Sequence, residues 1–166
     1  MTKPAAVQAS QSAELQAVPD FDIDLHLPQI INTTMGAVND QLNAALQQID
    51  LPLPHWRLIA ILKARPHCTL SDVSALTVIE MSTLSRAVRR LEAEGLVLRG
   101  TAPEDSRRMA LSLTPYGEEV FARAWVVVSN FYAYLFAEVT PEDAAALRRV
   151  MKNLRERVAR RPWDPA

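Results

Sequence analysis

Residues 69–114 read TLSDVSALTVIEMSTLSRAVRRLEAEGLVLRGTAPEDSRRMALSLT, and the spacing within this stretch decides the fold. From Ser82 to Glu94 the apolar residues Leu84, Val88 and Leu91 recur at steps of four and three, the buried stripe of a helix. Gly95 follows directly, where a left-handed cap costs least. Upstream, Thr69 with Asp72 three residues later has the form of a capping box in which Asp replaces Glu or Gln, and predicts a helix over Leu70 to Leu76. Only a turn fits in Thr77 to Glu80. Downstream, Leu96 to Arg99 and Met109 to Leu113 alternate apolar with polar residues and predict two strands; Gly100, Pro103 and Asp105 between them predict the hairpin loop. Two short helices joined by a tight turn, with a hairpin behind the second, make the winged variant of the helix-turn-helix.

Working outward, residues 1–22 mix Ala, Gln, Ser and Pro without apolar periodicity and predict a flexible arm. From Pro28, the residues Ile31, Met35, Val38, Leu42, Ala45 and Ile49 form one apolar stripe of a long first helix, which Leu51-Pro-Leu-Pro54 ends. A second helix begins near Pro54 and turns Trp56, Ile59, Ala60 and Leu62 inward until Arg65-Pro66. Thr114-Pro115 opens a fifth helix with Val120, Ala124, Val127, Val128, Phe131 and Leu135 apolar. Thr140-Pro-Glu-Asp143 opens a sixth, carrying Leu147, Val150, Met151, Leu154 and Val158. The fold class expected is mainly α: six helices and one β-hairpin wing.

The formal net charge is −1, which looks wrong for a nucleic-acid partner until the charges are placed along the chain. Residues 1–54 set Lys3 against Glu14, Asp20, Asp22, Asp24, Asp40 and Asp50. Residues 55–115 set Arg57, Lys63, Arg65, Arg86, Arg89, Arg90, Arg99, Arg107 and Arg108 against Asp72, Glu80, Glu92, Glu94, Glu104 and Asp105. The middle of the chain is therefore basic and rich in arginine, the residue suited to phosphate and guanine. No apolar run is long enough to span a bilayer and the N-terminus lacks a basic-then-apolar signal, so a cytoplasmic protein is expected. A single cysteine, Cys68, excludes an intrachain disulfide.

With Leu84, Val88 and Leu91 turned inward, the fourth helix presents Ser82, Thr83, Ser85, Arg86 and Arg89, with Arg90 further along. Small hydroxyls permit close approach to DNA, and arginine can grip guanine O6 and N7. A surface helix whose arginines only neutralise Glu92 and Glu94 fits the same spacing. The hairpin favours the first reading: Asp105 stands two residues before Arg107, able to brace a guanidinium that reaches a narrow minor groove, with Arg108 beside it.

Ser82-Thr-Leu-Ser-Arg-Ala-Val-Arg-Arg-Leu-Glu-Ala-Glu-Gly-Leu-Val97, together with Asp105-Ser-Arg107 followed after five residues by Leu113-Thr114, resembles the multiple antibiotic resistance regulator (MarR) family over residues 28–160. The chain departs from that pattern at Val78, where the family often has Gly, and at Glu80 and Met81, where Asp and Lys are commoner. The resemblance implies a single domain over residues 23–166. Within it, residues 23–52 and 115–161 would supply dimerisation helices (the first, fifth and sixth) and residues 53–114 the DNA-binding lobe. It implies a homodimer on a pseudo-palindromic operator, with Ser82, Thr83, Ser85 and Arg86 in the major groove and Arg107 in the minor groove.

The resemblance further implies a repressor released by a small effector, an aromatic acid or its coenzyme A thioester. His26, His55, Trp56, Arg57 and Trp125 are the candidate effector residues, an aromatic and cationic set suited to a carboxylate on an apolar ring. No cofactor and no metal are expected: His26, His55 and His67 lack zinc spacing. Cys68 has no second thiol in the chain to resolve a sulfenate and reads as a bystander. The alternative function is a winged-helix module that binds a protein partner and not DNA. An enzyme is a remote third, since no nucleophile, base and orienter can be assembled from these residues.

Overall fold

The structure is a computed structural model; it describes residues 22–77, 79–102 and 105–160, and of residues 102 and 105–108 the backbone alone. The chain divides into two compact units between Asn43 and Ala44. The arm expected over residues 1–22 lies outside the described residues except for Asp22, and so does Val78 in the turn.

The N-terminal unit opens with a 3-10 turn, Ile23–Leu25, which the Asp22 carboxylate caps by accepting from the Asp24 N–H. Helix α1, Leu27–Gln47, starts there and runs on into the C-terminal unit. Its stripe is largely uncovered toward the start: Ile31 is 37% and Met35 49% exposed, whereas Leu42 is buried.

In the C-terminal unit α1 closes through Asp50, whose φ of 57° is one that Asp tolerates better than most residues, with Leu51 N–H bonded to the Leu46 carbonyl. Helix α2, Leu53–Ala64, buries Leu53, Trp56, Leu58, Ile59 and Leu62 and also His55. The chain then turns through His67, at φ 64°, and Cys68 forms a one-residue antiparallel bridge to Leu111. Helix α3, Leu70–Leu76, begins with the expected box: Thr69 Oγ1 accepts from Asp72 N–H while the Asp72 carboxylate accepts from Thr69 N–H.

Helix α4, Met81–Ala93, buries Leu84, Val88 and Leu91, none of which is measurably exposed. It ends as its glycine predicts. Gly95 takes φ 72° and donates to Glu92 O, and Leu96 N–H donates to Leu91 O, the paired bonds that satisfy the last carbonyls of a helix.

The hairpin differs from expectation in length. Strands β1, Val97–Ala102, and β2, Asp105–Leu113, extend through residues expected in the loop, so that Gly100 pairs with Ala110 and Thr101 with Met109. Leu96, expected to start the strand, belongs to the turn after α4 instead. Antiparallel pairing satisfies backbone groups that a loop would leave to water, and the register shifts only after Thr101, where Ala102 meets Asp105.

The hairpin returns to α5, Pro115–Leu135, through a tight joint. Thr114 Oγ1 donates to Gly95 O at 2.7 Å and accepts from Gly117 N–H at 2.9 Å. A methyl group on Gly117 would overlap the Leu96 carbonyl oxygen, so the start of α5 lies directly on the turn that ends α4. Helix α5 buries Val120, Ala124 and Val128, and packs on α2.

Helix α6, Pro141–Arg160, starts on a Thr140 hydroxyl that accepts from Asp143 N–H, and buries none of its side chains. Leu147, Val150, Met151, Leu154 and Val158 are all 41–77% exposed and share one helix face. Among the described residues no helix is long and apolar enough to cross a membrane.

Candidate nucleic-acid interface

Helix α4 is held from behind. Its three leucine and valine anchors, its cap at Gly95 and its contacts with α2, α3 and β1 fix one face, so the opposite face is presented rigidly. At about 100° per residue, Ser82, Arg86 and Arg89 fall in one strip and Thr83 beside it. All four are exposed, while Ser85 is half-buried on the flank.

Glu80 occupies the N-cap without making a side-chain cap; its carboxylate instead accepts from Ser82 Oγ at 2.8 Å. Arg86 donates to Thr83 Oγ1 at 3.3 Å, an orienting contact within the helix. Arg90 is held by Glu94 at 2.8 Å. Glu92 is held by Arg99 of β1 at 2.7 Å. Glu94 is thus used within the helix by Arg90, as a solvated face would use it, whereas Glu92 is drawn off the helix by Arg99. Among the described residues neither Arg86 nor Arg89 pairs with a carboxylate. The backbone of β2 carries Arg107 and Arg108; their side chains, and the Asp105 brace expected on Arg107, lie outside the described residues.

Of the residues expected around an effector, the structure brings Trp56 and Trp125 together and adds a third ring. Trp56 of α2 stacks on Phe121 of α5 at 5.5 Å, Phe121 stacks on Trp125 at 6.1 Å, and the two indoles are 6.5 Å apart. Trp56 is buried and Trp125 is 52% exposed, so the cluster runs from the core to the surface. The cation over it is Lys63, 5.7 Å from the Phe121 centroid and 2.7 Å from the Glu118 carboxylate.

Sequence reading missed Phe121, Lys63 and Glu118. The signal was present, because Phe121 and Trp125 are four apart on one helix and so share a face. Arg57 is exposed, about 100° around α2 from Trp56. His55 is buried in the first turn of α2; desolvation lowers its pKa, opposed by Glu94 and reinforced by Arg90. His26 lies in the N-terminal unit just after the 3-10 turn, its N–H bonded to Ile23 O. Cys68 is buried, and burial, then the Asp72 charge, raises its thiol pKa, disfavouring the reactive thiolate.

The MarR family model matches residues 49–108, which run from the turn before α2 to the middle of β2. Over that stretch the chain is similar to the MarR family.

Two curated relatives agree with this. The HTH-type transcriptional repressor IacR of Pseudomonas putida is 26% identical over 117 residues, covering 70% of this chain and 70% of that protein. The homoprotocatechuate degradative operon repressor of Escherichia coli is 29% identical over 98 residues, 59% of this chain and 66% of that one. A MarR family transcriptional regulator from Silicibacter pomeroyi superposes with a TM-score of 0.72 at 27% identity, over 86% of this chain and 95% of its own. The fold is shared with more distant MarR proteins. One is a mutant E. coli MarR complexed with operator DNA, at TM-score 0.68 and 20% identity over 77% of this chain and 92% of that one. Another is Rhodococcus jostii CouR bound to p-coumaroyl-CoA, at 0.76 and 18% over 81% and 95%. Among its described residues the chain has the six helices and antiparallel hairpin of the winged helix seen in those MarR structures.

Proposed function

We propose that this protein is a MarR-type regulator: a homodimeric, sequence-specific transcriptional repressor that binds double-stranded DNA and releases it when a small aromatic acid or its acyl-CoA binds. The observation that carries the DNA reading is the strip of Ser82, Thr83, Arg86 and Arg89. It combines hydroxyls with two guanidinium groups that have no carboxylate partner among the described residues, on a helix braced from behind. A protein-binding module has no need of such a strip, which suits the major groove. Arg107 and Arg108 on the wing would add minor-groove and phosphate contacts.

Exposed apolar surface supports the dimeric part of this reading. Helix α6 leaves Leu147, Val150, Met151, Leu154 and Val158 uncovered on one face, a patch of the kind that marks protein–protein contact. Residues 23–52 and 115–161 would join two protomers and set their lobes, residues 53–114, on half-sites about 34–36 Å apart. For the effector, the Trp56–Phe121–Trp125 cluster between lobe helix α2 and dimerisation helix α5 offers an aromatic seat, and an acid held there would bias one element against the other. His26, His55 and Arg57 stay candidate effector residues.

The test is a binding titration of the purified protein on the DNA flanking its own gene, at several salt concentrations, with and without aromatic acids. Binding that weakens steeply as salt rises supports the proposal. Absent or salt-insensitive binding overturns it.

A further inference from the structure

Lys63 lies in the last turn of α2 and Glu118 in the first turn of α5, and each complements the dipole of its own helix. That accounts for the two charges separately but not for their place. Their 2.7 Å pair crosses from one helix to the other at the rim of the aromatic cluster, with the ammonium 5.7 Å from the Phe121 centroid. Both side chains are nearly half exposed, so a solute can reach them. An ammonium over one ring of an aromatic cluster that reaches solvent at Trp125 is the pairing that recognises a carboxylate carried on an aromatic ring. In the free protein that carboxylate is supplied by Glu118.

We infer that Lys63 and Glu118 are the charge-reading element of the effector site, in which Glu118 is a tethered competitor that an aromatic monocarboxylate displaces from Lys63. The inference rests on the aromatic seat proposed above. It makes Glu118 a gate on affinity: an exposed pair of this kind is weak enough to be opened by a ligand, yet it raises the threshold at which an acid binds. It also gives the binding event a mechanical consequence, because displacing Glu118 removes the α2–α5 ion pair.

The probes are 4-hydroxyphenylacetate and its uncharged amide, titrated calorimetrically into the full-length protein, with circular dichroism showing that each variant is folded. Glu118→Gln should tighten the acid by about fivefold and leave the amide unchanged. Lys63→Met should remove the preference for acid over amide. Phe121→Ala should weaken both probes, which reports on the seat alone. If both probes bind the wild type but Glu118→Gln leaves the acid within twofold, or Lys63→Met keeps the preference, the charge-reading role is overturned and the seat stands. If neither probe binds the wild type, seat and charge-reading element fall together, and the DNA titration remains an independent test of the repressor reading.

Discussion

Arg99, on the first wing strand, donates to Glu92 on α4 at 2.7 Å. The bond ties the wing to the helix that would enter the groove. It also engages the one α4 carboxylate that lies three residues from Arg89. Arg99→Ala should therefore cost less than about 1 kcal/mol in urea denaturation, the usual worth of a partly exposed pair. Its effect on DNA affinity should be small beside that of removing Arg86. A loss of DNA binding as large as that of Arg86→Ala would show that Arg99 itself contacts DNA.

The joint at Thr114, Gly95 and Gly117 sets where α5 leaves the wing. Because a Cβ at position 117 would meet backbone, and not a movable side chain, Gly117→Ala should destabilise the protein by about 1–3 kcal/mol. Equilibrium denaturation checks this. Gly36→Ala, where nothing lies within 4 Å of the added methyl, should not be destabilising and serves as the control.

His55 is buried with its pKa below 6.5, chiefly through desolvation. The unfolded chain then binds a proton at a pH where the folded one does not. His55 consequently contributes stability that is fully present above pH 6.5 and is lost as pH falls from there through the folded-state pKa. Thermal melts should fall with acidification across that window, and less steeply in His55→Gln. Equal slopes in the two proteins would contradict the assignment.

Elements whose ends carry their own chemistry were legible in the sequence. Thr69 with Asp72, Gly95 after Leu91, and Thr114 before Pro115 each bond as their residue types require, because capping is decided within a few residues. The wing was read too short, since Gly100 and Asp105 are turn formers locally and strand pairing is decided by the partner. The strip on α4 was legible from periodicity, but its contrast was not. That Glu92 is held from off the helix, while Arg86 and Arg89 pair with no carboxylate among the described residues, depends on Arg99, which reaches back from the strand. Likewise Trp56 meets Phe121 only through the packing of α2 on α5, some 65 residues apart in the chain.

The central claim is that the Arg86 and Arg89 strip of α4 grips DNA, and its most direct test is the affinity of wild type and Arg86→Ala for an operator fragment across a series of salt concentrations. A folded Arg86→Ala protein is expected to bind at least tenfold more weakly, a loss of about 1.4 kcal/mol or more, with wild-type affinity falling steeply as salt rises. Undiminished affinity in Arg86→Ala, and in the double variant with Arg89→Ala, would contradict it.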